Sequence, residues 1–163
     1  MILKTIRHKI DFTLKWILVF IMAAMTINVL WQVFTRFILQ DPSSFTEELA
    51  RYMLIWIGIL GASYVAGQKM HLAIDLLSTK LNAKNKLILD IVIELFIFLF
   101  SLFVMVIGGI RLVNITLTSN QISAALQVPL GYVYTVVPIS GLLMMFYSLS
   151  FIIEDLLAEK KLK

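Results

Sequence analysis

Four long apolar runs, separated by short charged segments, organise this chain. The cleanest is Trp16–Thr35, twenty residues without a charge. As a helix rising ~1.5 Å per residue it spans ~30 Å, the thickness of a bilayer's hydrocarbon core. It predicts a first membrane helix over 14–36. The second run covers 52–67. Ser44 and Glu47 precede it in an S-x-x-E capping pattern with Ser44 as N-cap, so the predicted span is 45–67. The third span is predicted over 87–112, with Asp90 and Glu94 near its start. The fourth is predicted over 129–155. Pro129 suits a helix start, where its missing N–H would have no partner anyway. Pro138, inside the run, predicts a kink of the kind membrane helices tolerate. Between the second and third spans, 71–81 places Leu72, Ile74, Leu76, Leu77 and Leu81 against Asp75, Thr79 and Lys80. That pattern predicts a short amphipathic helix lying in the cytoplasmic interface, with an ordinary loop as the alternative. The fold class is all-α, an integral membrane protein with four transmembrane helices in one domain over 1–163.

Composition agrees with that class. Hydrophobic residues make up 60% of the chain and the mean hydropathy is +0.93. A net charge of +4 could suggest nucleic acid. The basic residues, however, cluster between apolar runs, where membrane topology uses them. Lys4, Arg7, Lys9 and Lys15 precede the first span; Lys69, Lys80, Lys84 and Lys86 lie between the second and third; Lys160, Lys161 and Lys163 end the chain. Only Arg36, Arg51 and Arg111 fall on the other side, a split of eleven against three. The positive-inside rule therefore predicts both termini in the cytoplasm. Trp16, Trp31 and Tyr52 then sit near the interfaces. The basic start resembles a signal peptide, but the apolar run is too long and lacks a small-x-small cleavage site before Arg36; it reads as a retained helix. The chain has no cysteine, which removes disulfides, thiolate chemistry and cysteine-held metals.

Function in such a protein should show as polar groups at membrane depth. Asn28 and Gln32, four apart on the first span, can hydrogen-bond another helix at ~0.6–2 kcal/mol each; a substrate site is the competing reading. Gly58, Ala62 and Ala66 repeat every four residues on the second span, with Gly61 beside them, and predict close helix approach. Glu47, Glu48 and Arg51 gather at its outer end. Glu47 and Arg51 form an i,i+4 pair worth only ~0.2–0.5 kcal/mol if exposed, and the helix dipole favours acids there. The corner is either a solvated helix start or an electrostatic lock that draws in Arg36. Glu94, two turns into the third span, reaches the headgroups, pairs with a partner subunit, or forms a proton or sodium site. No nucleophile with a base, phosphate loop or metal-ligand spacing is visible, so no enzyme is expected. Nor is there the pair of broken helices that marks a transporter's own substrate site.

Three stretches resemble a known family. Arg36-Phe37, Pro42 and Phe45-Thr46-Glu47-Glu48-Leu49-Ala50-Arg51-Tyr52 are followed by Trp56 and Gly61-Ala62. His71-Leu72-Ala73-Ile74-Asp75 comes next. Gln121-Ile122-Ser123-Ala124-Ala125-Leu126-Gln127-Val128-Pro129 is followed by Tyr134 and Pro138. In this order they resemble the small membrane subunit (Q-type, DctQ family) of TRAP transporters, the tripartite ATP-independent periplasmic transporters. Phe45 replaces the family's Trp. Ala124 replaces a Pro, which implies a less rigid loop between the third and fourth spans.

The resemblance implies a multi-pass protein of the bacterial inner membrane with a scaffolding role. A large M-type permease subunit would hold the substrate and sodium sites, so no cofactor is expected in this chain. A periplasmic P-type substrate-binding protein would capture an organic acid such as a C4-dicarboxylate or sialic acid. Membrane lipid is the remaining partner; nucleic acid is not expected. A four-helix assembly factor and a small self-sufficient exporter are the alternatives.

Overall fold

The computed structural model describes residues 2–41, 43–68 and 82–162. The amphipathic segment expected over 71–81, with His71 and Asp75, lies outside the described residues. Among the described residues four helices are long and apolar enough to cross a membrane: Leu3–Leu39, Ser44–Gly67, Asn85–Thr118 and Leu130–Leu157.

The first is α1 (Ile2–Phe34), closed by one π-helical turn, Thr35–Leu39, where Gln40 adopts a left-handed φ of 54°. Its 33 residues measure about 50 Å, well beyond a ~30 Å core. Its first turns therefore project past the apolar layer and carry Arg7 and Asp11 with them. The second helix is α2 (Ser44–Gly67). Its N-cap is Ser43, one residue before the expected Ser44, and no side chain caps it. The first turn is tied down differently: Thr46 Oγ1 donates to the Ser43 carbonyl at 2.8 Å. The third span joins α3 (Ala83–Phe100) through a π-helical segment, Ser101–Gly108, to α4 (Gly109–Thr118).

The fourth span is divided into α5 (Leu130–Tyr134) and α6 (Val136–Leu162). The interruption falls at Thr135, ahead of Pro138. Proline offers no N–H to the carbonyl four residues back, that of Tyr134, so the regular ladder fails at this point. Beside the interruption the Thr135 hydroxyl donates to the Tyr132 carbonyl at 2.7 Å.

The helices do not close into a square bundle. α1 packs along α2, α2 packs on α6, and α6 packs on α3 and the π-helical segment. The fourth span thus lies between the second and third. A small buried cluster of Leu14, Leu60, Val136, Tyr147 and Phe151 marks where α1, α2 and α6 converge. Lipid is as apolar as these side chains, so helix association depends on close fit and polar contacts. Glycines supply the fit between the third and fourth spans. A Cβ on Gly109 would lie 2.9 Å from Pro138 Cδ, one on Gly141 would lie 2.7 Å from Met105 Cβ, and one on Gly131 would strike Leu117.

Candidate functional site

The polar groups that the chain carries to membrane depth meet at three levels, and at each level they join one helix to another.

At the corner where α2 begins the central group is Glu48. One carboxylate oxygen accepts from Tyr52 Oη at 2.7 Å and from the Ala124 N–H at 3.2 Å. The other accepts from the N–H groups of Ala125 and Leu126, both at 2.8 Å. Bonds to an ionised acceptor are among the stronger hydrogen bonds. Three of them, from the Ala124, Ala125 and Leu126 amides, fix the turn between α4 and α5 to the start of α2, and the fourth, from Tyr52, lies within α2. The turn is also bonded to itself. Ser123 N–H donates to the Val128 carbonyl at 2.9 Å, Leu130 N–H donates to the Gln121 carbonyl at 2.9 Å, and Gln127 takes a left-handed φ of 55°. Ala124 therefore does more than loosen a proline position, because its N–H contributes a bond that proline lacks.

The other charges of this corner behave differently. Arg51 Nη2 lies 3.3 Å from Glu47 Oε1, but the two side chains are 65% and 66% exposed. A pair so exposed contributes little. Arg36 lies in the π-helical turn with its guanidinium 5.8 Å from the Phe37 ring centroid. It forms no ion pair with either glutamate. What the corner does show is a carboxylate, that of Glu48, bonded to backbone amides. Side-chain patterns do not signal such a partner; the nearest signal was the short, acid-free turn between two spans.

Below this corner, Asn28 Nδ2 donates to the Thr46 carbonyl at 2.7 Å in a buried contact, stitching α1 to α2 within the chain. The Trp56 indole N–H donates to the Val133 carbonyl at 3.0 Å, beside the interruption of the fourth span. At mid-span Ser63 and Ser140 are in hydroxyl contact, and Ser140 Oγ donates to the Ile59 carbonyl at 2.9 Å. This serine pair was not singled out from sequence; two lone serines in apolar runs were its only trace.

The expected small-residue face is divided. Ala66 is buried, whereas a Cβ on Gly58 or Gly61 would meet nothing within 4 Å. Gly58 and Ala62 are exposed. Gln32 is half-buried. Glu94 is 5% exposed, enclosed where α3 packs on α6. Pro129 precedes α5 in extended backbone and Pro138 packs against Gly109.

At the basic end a third set appears that sequence reasoning missed. Arg7 Nη2 lies 3.3 Å from both carboxylate oxygens of Glu154, and its guanidinium lies 4.6 Å from the Phe151 ring centroid. The Tyr147 hydroxyl donates to Asp11 Oδ1. The Tyr147 ring occupies the space left by Gly67, where a Cβ would come within 2.6 Å. The signal was present in the length of α1, which places acids and bases beyond the apolar run.

Two grooves border α1. One, about 370 Å³, lies among α1, α2 and α6; the other, about 270 Å³, lies between α1 and α2, and Trp56 contributes to both. Both are almost wholly apolar. Among the described residues no three His, Asp or Glu side chains gather in a metal-binding arrangement. The cross-helix bonds of Asn28, Trp56, Ser63 and Ser140 hold helices of this chain together.

Comparison with known proteins gives this arrangement a context. The family described as "Tripartite ATP-independent periplasmic transporters, DctQ component" matches residues 25–158. The chain is 34% identical over 93 residues to the sialic acid TRAP transporter small permease protein SiaQ of Vibrio cholerae serotype O1, covering 57% of this chain and 54% of that protein. It thus matches about half the length of that relative. It is 26% identical over 141 residues, 86% of each chain, to a Haemophilus influenzae Rd protein named provisionally as a TRAP transporter small permease protein. It is also 27% identical over 115 residues to the sialic acid TRAP transporter permease protein SiaT of Haemophilus influenzae strain 86-028NP. That match covers 71% of this chain and 18% of SiaT.

Proposed function

The chain belongs to the DctQ family of TRAP transporter components, and from that premise we propose that it scaffolds a large permease subunit in the bacterial inner membrane. On its outer side it contributes to the surface on which a periplasmic substrate-binding protein docks. The complete transporter takes up an organic acid, driven by a sodium gradient. Both termini lie in the cytoplasm, in keeping with the eleven-to-three distribution of Lys and Arg.

The observation that carries this reading is the use of the polar groups. Asn28, Glu48, Trp56, Ser63 and Ser140 all bond across helices or to the outer turn of this same chain. That leaves a stiff body with apolar flanks, suited to bracing another subunit. The Glu48-held turn supplies a preorganised outer surface. Because Asn28 is bonded internally while Gly58 and Ala62 stand open, the Gly58/Ala62 face is the one assigned to the permease. The match to SiaT supports a standing association, since a region like this chain forms 18% of that longer polypeptide. Two of the relatives are named for sialic acid, which makes it the first substrate to assay, ahead of C4-dicarboxylates.

The test is reconstitution. The purified chain in liposomes should give no sodium-driven uptake, and addition of the permease subunit and binding protein should produce it. Ala62→Leu should weaken co-purification with the permease. Uptake by the chain alone, or failure of the two membrane proteins to co-purify, refutes the proposal.

A further inference from the structure

The 370 Å³ groove among α1, α2 and α6 opens to the outside of the helix cluster, and its chemistry changes from one end to the other. Ile10, Leu14 and Ile17 form one wall, and Leu60 and Leu143 face them. Its polar lining residues, Lys9 and Thr13, lie at the basic end. The Thr13 hydroxyl is already bonded to the Lys9 carbonyl at 3.0 Å. The groove thus offers a polar ligand almost nothing along its length, while its apolar walls gain dispersion contacts only if something fills it. From Lys9, in the part of α1 that projects past the apolar layer, to Ile17 within that layer the helix rises about 12 Å. Lys9 itself is exposed at the mouth. Lys4 and Lys15 are exposed on the same stretch of helix, and none of the three lysines is ion-paired with another described residue.

We propose that this groove seats one acyl chain of an anionic phospholipid, whose phosphate rests against Lys9. The charge at the mouth selects the headgroup. The length and apolar lining of the groove accept the chain. The positive-inside rule places this end in the cytoplasmic leaflet, where anionic lipids attract basic residues beside the membrane.

The test uses the full chain in liposomes containing a trace of phosphatidylglycerol with a photoactivatable group in its acyl chain, and phosphatidylcholine bearing the same group as control. Labelled peptides are mapped by mass spectrometry. The expected result is labelling of Ile10–Ile17 and of the stretch around Leu143, about fivefold stronger with the anionic lipid, the factor that one basic residue near the surface supplies. Lys9→Gln should abolish that preference and Lys9→Arg should retain it. Thr13→Phe should remove groove labelling with both lipids by filling the mouth. Equal labelling by the two lipids, or unchanged labelling in Thr13→Phe, overturns the proposal. The experiment is repeated on the complex with the permease subunit. Loss of groove labelling there, with cross-links from Thr13 to the permease, means that protein covers the groove and also overturns it.

Discussion

Two glycines of this chain present a controlled comparison. Gly141 on α6 and Gly58 on α2 both lie within membrane-spanning helices, but only Gly141 is pressed against a neighbour. An added Cβ would lie 2.7 Å from Met105 Cβ, 2.9 Å from Val106 Cγ2 and 3.2 Å from the Met105 carbonyl carbon. Comfortable carbon–carbon contact is ~3.5–4.0 Å, so Gly141→Ala falls short of it by about 1 Å at the nearest atom. Met105 Cβ is fixed to its own backbone, so no side-chain rotation relieves the contact. The fourth span and the π-helical segment must move apart. Such overpacking costs ~1–3 kcal/mol. Alanine recovers at most ~1 kcal/mol through its better helix propensity, and because the nearest atom is fixed to backbone the upper half of the overpacking range applies, leaving a net loss of about 1–2 kcal/mol. Gly58→Ala gains the same propensity and meets nothing, so it should be neutral or slightly stabilising. The assay is equilibrium unfolding of the purified chain in mixed micelles, with the Gly141→Ala/Met105→Gly double variant measuring the coupling directly. The reasoning is refuted if Gly141→Ala is as stable as the parent, or if both glycine variants shift stability equally.

Three further outcomes are expected. Glu48→Gln should speed amide exchange at Ala125 and Leu126, whereas Glu47→Gln, whose partner is an exposed arginine, should leave those amides unchanged and cost less than ~0.5 kcal/mol; equal effects would show that the carboxylate does not hold the turn. Glu154→Ala should destabilise the chain by about 1–3 kcal/mol, between the values for exposed and buried pairs, because Arg7 keeps a charge at a largely enclosed site. Arg7→Lys should cost less than Glu154→Ala, since a single nitrogen, Nη2, meets both Glu154 oxygens and an ammonium can replace it, while the guanidinium contact with the Phe151 ring is lost; unfolding in micelles reads both. Single cysteines at Asn120 and Asn82 in this cysteine-free chain should label from opposite faces of intact cells, Asn120 from the periplasm, and the reverse pattern would invert the assigned topology.

What could be read from sequence follows from what lipid makes visible. Span length and charge asymmetry are constraints imposed by the bilayer, so four spans follow from runs such as Trp16–Thr35 without knowledge of packing. The internal faces are another matter. In a soluble helix the buried side is apolar and the outer side polar, but here both are apolar, and hydropathy does not distinguish Gly58 from Gly141. The regular Gly58/Ala62/Ala66 spacing drew attention to a face that is largely open, while the glycines in close contact, Gly67, Gly109, Gly131 and Gly141, follow no repeat. Asn28 was legible as a cross-helix donor because an amide at that depth needs a partner. Glu48 was legible as important, but its partners are backbone N–H groups, which every residue type except proline carries. Arg7 and Asp11 were hidden by a span boundary drawn at the end of the apolar run, whereas the helix itself continues, and with them went the partners of Tyr147 and Glu154, which lie inside the predicted fourth span.

The fourth span packs between the second and the third, and this sets an order on how the protein can be assembled. Synthesis delivers the helices in sequence, yet Arg7, Asp11, Glu48, Trp56 and Ser63 all take partners from the last third of the chain. Until that last segment is made, these five groups lack those partners. The third must remain far enough from the second for another helix to slip between them. Maturation is therefore a late, concerted event. A chain truncated near Asn120 would have three helices in which, among the described residues, Asn28 to Thr46 is the side-chain stitch already formed between the first two, an intermediate exposed to membrane quality control.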